Sequence, residues 1–231
     1  MQPTPNQLST FEKDGFALLR SAASADQIAE LIESIEAARA SKSAPGMRNL
    51  LNRCATVRTF ATSGKASAMA REILGGQPLP VRAILFDKTP TSNWYVTWHQ
   101  DLSIPVKAKI DLPGYSSWSE KEGVIHVQPP AEILERMVSL RIHLDACAES
   151  NGPIKFIAAS HLSGILAPDA IARWRDQQPH AVCAAEQGDV IAMRPLILHS
   201  SSVAESPEHR RVLHLEYAGT TLPDGLEWAE A

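Results

Sequence analysis

Residues 181–218 read AVCAAEQGDVIAMRPLILHSSSVAESPEHRRVLHLEYA, and their pattern decides the fold class. Short apolar runs, Ala181–Ala185, Val190–Met193, Ile197–Val203 and Arg211–Tyr217, alternate with turn formers such as Gly188-Asp189 and Pro195. Brief runs rich in β-branched and aliphatic residues, each closed by a turn former, are strands rather than helices. The same texture extends back to Val81, through Val81–Lys88, Tyr95–His99, Val138–Asp145 and Ile154–Ala158. Eight short strands predict a mainly β protein with a jelly-roll core, the double-stranded β-helix of cupin-like proteins, and not a βαβ fold. Two interruptions are expected. One is an insert over 102–137 that ends in a short helix, Ala131–Met137, and the other a brief helix over Pro168–Asp176.

Residues 1–80 differ in texture and read as a helical flank. Ser24-Ala-Asp-Gln27 has the form of a capping box, and Ile28, Leu31, Ile32 and Ile35 give one apolar helical face. Ala66–Leu74 is a second helix, stopped by Gly75-Gly76. A chain of 231 residues, 44% hydrophobic and 21% charged, fits one globular domain over 1–231, with 81–218 as its β core. A net charge of −4 argues against nucleic acid or an anionic membrane as the main partner. The N-terminus lacks a charged segment followed by an apolar run, and no apolar stretch approaches membrane-spanning length. Three widely spaced cysteines form neither a CxxC motif nor a full disulfide set, so a reducing, cytoplasmic setting is expected.

The chemistry lies in the histidines. A 2-His-1-carboxylate site presents three ligands on one face of Fe(II) and leaves the other positions for co-substrate and oxygen. His-x-Asp supplies two ligands from one strand, because residues i and i+2 point to the same side. Two pairs fit, His99-Gln-Asp101 and His143-Leu-Asp145. Roughly 0.4 such matches are expected by chance at average aspartate usage, so one pair is expendable. His99 follows an aromatic strand (Trp94, Tyr95, Trp98) and Asp101 opens into the insert, at a barrel mouth where substrate can enter. His143 and Asp145 alternate with Ile142 and Leu144 inside a strand, the setting of a structural pair. Context therefore favours His99 and Asp101. The third ligand must come from a distant strand. His199, ending an apolar run and followed by three serines, fits best; His161 reads as a turn residue, and His209 and His214 belong to the last strand and its approach.

Eleven residues after His199 stands Arg210. A guanidinium beside the iron can hold the far carboxylate of a dicarboxylic 2-oxo acid through paired hydrogen bonds. Arg211, its neighbour, would face the other side of the strand.

Taken together, Trp98-His99-Gln-Asp101, Asn151-Gly152-Pro-Ile with Ala159-Ser160-His161 behind it, Gly188-Asp189 leading to His199-Ser-Ser201, and Arg210 resemble the phytanoyl-CoA dioxygenase family in residues and order. That family is a branch of the 2-oxoglutarate-dependent oxygenases that also holds ectoine hydroxylase. The resemblance spans about residues 81–218. It implies Fe(II), 2-oxoglutarate and O2 as cofactor and co-substrates, with His99, Asp101 and His199 on iron and Arg210 on 2-oxoglutarate. It further implies that Ser201, Ile84 and Arg141 lie near the co-substrate. Two departures, Ala158-Ala-Ser-His for Pro-Gly-Ser-His and His199-Ser-Ser for His-Gly-Ser, change small turn residues. The implied reaction is hydroxylation. Halogenating relatives replace the carboxylate ligand by a small residue, and Asp101 fills that place here.

For substrate, the insert is expected to cover the mouth, with Trp118, His126, Gln128 and Arg141 as candidate contacts. Lys107, Lys109 and Lys121 balance Asp111, Glu120 and Glu122, so the insert offers no basic patch for a coenzyme A ester. Two alternatives remain open from the sequence: a cupin-like metal enzyme that does not use 2-oxoglutarate, for which Arg210 would be superfluous, and a non-catalytic binding module of the same fold.

Overall fold

A computed structural model describes residues 3–39, 46–205 and 208–231. In chain order the elements are α1 (Pro5–Asp14), β1 (Phe16–Leu19), α2 (Ala25–Ala38), β2 (Gly46–Met47), α3 (Leu50–Arg53), α4 (Ala55–Ser63), α5 (Lys65–Leu74), β3 (Leu79–Lys88), β4 (Val96–His99), β5 (Ile104–Val106), β6 (Ser116–Lys121), β7 (Val124–Gln128), α6 (Ala131–Glu135), β8 (Met137–His143), β9 (Ile154–Ile157), α7 (Pro168–Gln177), β10 (Ala181–Cys183), β11 (Val190–Met193), β12 (Leu198–Ser201) and β13 (Arg210–Ala218). All eight strands expected from the sequence are present. The expected capping box at Ser24 starts α2, with Gln27 closing it. A second box, Thr4 with Gln7, starts α1 and was not anticipated.

The strands form a six-stranded sheet, order β1-β11-β8-β13-β3-β2, and a four-stranded sheet, order β10-β9-β12-β4, all antiparallel. This is the jelly-roll architecture. Period-two alternation divides the large sheet's side chains between two environments. Ala83 and Leu85 of β3, Leu140 and Ile142 of β8, and Leu213, Leu215 and Tyr217 of β13 join the core formed with α2, α4 and α5. The intervening residues of β3 and β13 face the interior between the sheets. At one end that interior is apolar, with Phe156, Ile191, Met193 and Ile197 in contact and Phe16 stacked on Phe156 at 4.5 Å. At the other end it opens into a cavity of about 380 Å³, within the range of small-molecule sites.

The insert is ordered differently from expectation. It holds a three-stranded sheet, order β5-β7-β6, sealed by Val106, Val127, Leu134 and Trp228. Its helix α6 ends at Glu135, and Met137 already begins β8. Among the described residues no helix is long and apolar enough to cross a membrane.

Candidate metal centre

β12 lies between β9 and β4, and its register sets His199 directly across from His99. Strand pairing thus brings together two histidines a hundred positions apart, with ring centroids 4.2 Å apart. Asp101 completes the group: its two carboxylate oxygens stand 3.7 Å from His99 Nε2 and 3.7 Å from His199 Nε2. Each residue offers one donor atom to a group lying within 4.8 Å.

Backbone contacts orient the set. His99 Nδ1 lies 2.8 Å from the Thr97 carbonyl and His199 Nδ1 3.0 Å from that of Ile197. A carbonyl can only accept, so both Nδ1 atoms carry the proton and both Nε2 lone pairs face Asp101. The Asp101 amide donates to Pro195 O at 2.9 Å. Between the two ligand candidates, Gln100 donates to Gly164 O and Leu196 O and accepts from the Leu166 amide, locking the turn. Burial favours a neutral His199, lowering it to about 4. Burial would raise Asp101, but His199, His214, His99 and Arg82 outweigh it and hold it at about 2. Two imidazoles and one carboxylate, each with a donor atom turned to the others, suit a divalent transition metal such as Fe(II).

The other His-x-Asp pair does not converge. Asp145 holds Arg211 through both carboxylate oxygens, at 2.8 and 2.9 Å, and accepts its backbone amide at 2.8 Å. His143 lies on β8, where burial, with the charges of Arg141 and Arg210, lowers it to about 3.

At one end of the cavity stand three cations. Lys88, Arg141 and Arg210 all line it. Lys88 and Arg210 are directly opposed on β3 and β13, an arrangement that is destabilising unless an anion bridges it. Burial, aided by Arg210, lowers both Lys88, to about 8, and Arg141, to about 10. Arg210 donates to the carbonyls of Asn151 and Gly152, the first at 3.1 Å, and its buried Nε has no partner among the described residues. Position 152 requires glycine: its φ is +60°, and a Cβ there would meet Ser202 O at 2.5 Å. Lys88 Nζ donates to Trp94 O at 2.6 Å and lies 3.3 Å from Ser201 Oγ. Ile84 lines the same wall.

Several lining residues were not anticipated. Arg82, Phe86, His214 and Glu216 follow from alternation on β3 and β13, a signal present in the sequence. Across those strands Arg82 pairs with Glu216 at 2.5 Å, Glu216 meets His214 Nε2 at 3.1 Å, and Arg141 reaches His214 Nδ1 at 3.3 Å. Arg48 and Lys121 also line the cavity. Three expected substrate contacts do not. Trp118 packs against the insert's apolar cluster, beneath Lys109. His126 is buried on the middle strand of the insert, its Nδ1 2.9 Å from Val124 O. Gln128, opposite Ser116, ends the same strand away from the cavity wall. The insert meets the cavity through Leu102, Ser103 and Lys121 instead.

The Ala159-Ser160-His161 turn is structural. Ala159 adopts φ 63°, the left-handed conformation that glycine takes more easily. Ser160 accepts the Leu198 amide at 2.8 Å and so steadies β12 just before His199. His161 packs on Gly15, where a Cβ would come within 2.4 Å of its ring.

The fold matches several solved structures. The non-haem α-ketoglutarate-dependent epimerase SnoN from nogalamycin biosynthesis superposes with a TM-score of 0.71 at 16% identity, over 94% of this chain and 82% of that one. EctD from S. alaskensis, solved with 2-oxoglutarate and 5-hydroxyectoine, gives 0.72 at 17% identity, over 94% and 76%. AviO1 from Streptomyces viridochromogenes gives 0.70 at 20% identity, over 97% and 98%. A search of curated proteins gave no significant match. The family model described as phytanoyl-CoA dioxygenase matches residues 11–212, and the chain therefore belongs to the phytanoyl-CoA dioxygenase family, a branch of the iron- and 2-oxoglutarate-dependent oxygenases.

Proposed function

We propose that the protein hydroxylates a small molecule, holding Fe(II) through His99, Asp101 and His199 and 2-oxoglutarate through Arg210, Lys88 and Ser201. The observation that carries this reading is the placement of three convergent donors in a cavity whose end holds three cations with no carboxylate paired to them among the described residues. When bound, iron with 2-oxoglutarate and O2 supplies the oxidising power, and the substrate gains one oxygen while 2-oxoglutarate yields succinate and CO2. The chain's own groups do the rest. Arg210 and Lys88 fix the far carboxylate by charge-assisted hydrogen bonds, with the Ser201 hydroxyl beside Lys88. Arg141, held against His214 and the Phe86 ring, adds positive potential at that end. Ile84 and Phe86 form an apolar wall beside it. The insert's sheet narrows the mouth and limits water. The free, buried cysteines Cys54, Cys147 and Cys183 support a reducing compartment, the cytoplasm.

A second outcome is favoured by the similar structures, which include an epimerase and a carbocyclase. Both readings use the same centre, so the product separates them. The test is aerobic incubation of the Fe(II)-loaded protein with 2-oxoglutarate and a panel of small substrates, followed by measurement of succinate and product mass. Hydroxylation gives stoichiometric succinate and a product heavier by one oxygen. Succinate with a product of unchanged mass would indicate epimerisation. Failure of any panel member to raise 2-oxoglutarate consumption would contradict the oxygenase assignment.

A further inference from the structure

The cavity has a second basic wall, apart from the cations around Lys88 and Arg210. Arg82, Arg48 and Lys121 line it. They come from three segments: β3, the residue after β2, and the last residue of β6. The β6–β7 turn brings Glu122 to 3.4 Å from Arg48, which sets Lys121 beside the mouth. Arg82 is 7% exposed; it holds Glu216 at 2.5 Å and Ser103 O at 2.8 Å, and its buried Nε has no partner among the described residues. The Lys121 side chain makes no hydrogen bond or ion pair with the described residues. Burial, followed by the charges of Arg82 and Arg48, lowers its affinity for a proton, against the opposing charges of Asp101 and Glu216.

We infer that this wall receives a carboxylate of the substrate. The inference rests on the active-site reading above and names the substrate class for it. Arg48 is paired with Glu122 and Arg82 with Glu216, which leaves the Lys121 ammonium to receive one further negative charge; Asp101, on the same cavity, is engaged at the metal centre. That balance suits a singly charged carboxylate better than a phosphate dianion. Arg82 is directly opposite Glu216 on β13, and Arg82 and Lys121 line the same cavity as Asp101 and His199. A carboxylate at the wall thus places the adjoining carbons of the substrate toward the metal centre, along Ile84 and Leu102. The basic character arises only when the fold joins residues that lie apart in sequence, so the charge balance of the insert alone did not show it.

The test uses the full chain loaded with Fe(II) and saturated with 2-oxoglutarate in the absence of oxygen, so that the Lys88–Arg210 end is filled. Hexanoate, hexanamide, hexyl phosphate and hexanoyl-coenzyme A are each titrated in by calorimetry. Hexanoate should bind at least about tenfold more tightly than hexanamide, as expected for hydrogen bonds to a charged group. Lys121→Gln should weaken hexanoate binding about three- to tenfold and leave hexanamide unchanged, and Lys121→Glu should abolish the preference. Hexanoate binding no tighter than hexanamide would overturn the inference. So would a preference that survives Lys121→Glu, or tighter binding of the phosphate or coenzyme A ester. The visible absorption band of the iron–2-oxoglutarate complex is recorded on the same samples. Its absence would count against the proposed function; its presence without a carboxylate preference overturns the wall alone.

Discussion

Replacing Arg210 and Arg211 one at a time separates two adjacent arginines with opposite tasks. Arg210 lines the cavity and is buried, whereas Arg211 binds Asp145 on the other face of β13. Hydrogen bonds to a charged partner contribute about 1.5–3 kcal/mol each. Lys88 and Ser201 remain in Arg210→Ala, so a net loss of about 2–3 kcal/mol in 2-oxoglutarate binding is expected, a Kd roughly 30- to 150-fold higher. Iron content should be unchanged, because Arg210 donates no lone pair. Arg211→Ala removes two side-chain hydrogen bonds to a partly exposed carboxylate. It should lower stability by about 1–2 kcal/mol and leave 2-oxoglutarate binding alone. The assay is anaerobic calorimetry of 2-oxoglutarate into Fe(II)-loaded protein, paired with urea unfolding. Because Arg210 also satisfies the carbonyls of Asn151 and Gly152, Arg210→Lys serves as a control that keeps the charge. Equal weakening by Arg210→Ala and Arg211→Ala would refute the assignment, since it would mean that the face of β13 turned to the co-substrate is not the one described.

Glu230 gives a pH prediction. Burial raises it to about 7, against the amides of Ala83 and Leu51, which both donate to its Oε2 at 3.3 Å. A folded-state value above the unfolded one gives stability that is complete below about pH 4.5 and lost as pH rises through about 7. Glu230→Gln keeps an acceptor oxygen without the charge, so its stability relative to the wild type should improve by about 2–3 kcal/mol between pH 5 and pH 8. Parallel urea curves for both proteins at the two pH values would contradict this. Asp101 supplies a third prediction. With the carboxylate in place, turnover in excess chloride or bromide should give no halogenated product by mass spectrometry, and Asp101→Ala should lose hydroxylation as iron binding weakens; a halogenated product from the unmodified enzyme would refute the role given to Asp101.

The strands of the core were legible because each apolar run is short and ended by a turn former. The bounds moved by a few residues at most, as in Ile197–Val203 against Leu198–Ser201. His99 and Asp101 were readable from strand periodicity. The meeting of His199 with His99 depends on pairing register, which their local sequences do not state. β6 was missed because Ser116–Lys121 carries almost no apolar residue and is largely exposed. α1 was missed although Thr4 and Gln7 carry the same capping signal that was read at Ser24. Trp118, His126 and Gln128 do not line the cavity, because residue type alone does not tell which face of the hairpin turns to it. Trp118 faces an apolar cluster and Lys121 the mouth.

The most direct test of the central claim is the iron content of protein reconstituted anaerobically with Fe(II) and freed of loosely held metal, measured together with the visible band that appears on adding 2-oxoglutarate. The account predicts one iron per chain and a clear band for the wild type and for His143→Ala. It predicts loss of both iron and band in His99→Ala, Asp101→Ala and His199→Ala. Iron and band retained by the His199→Ala protein, or lost from a folded His143→Ala protein, would contradict it.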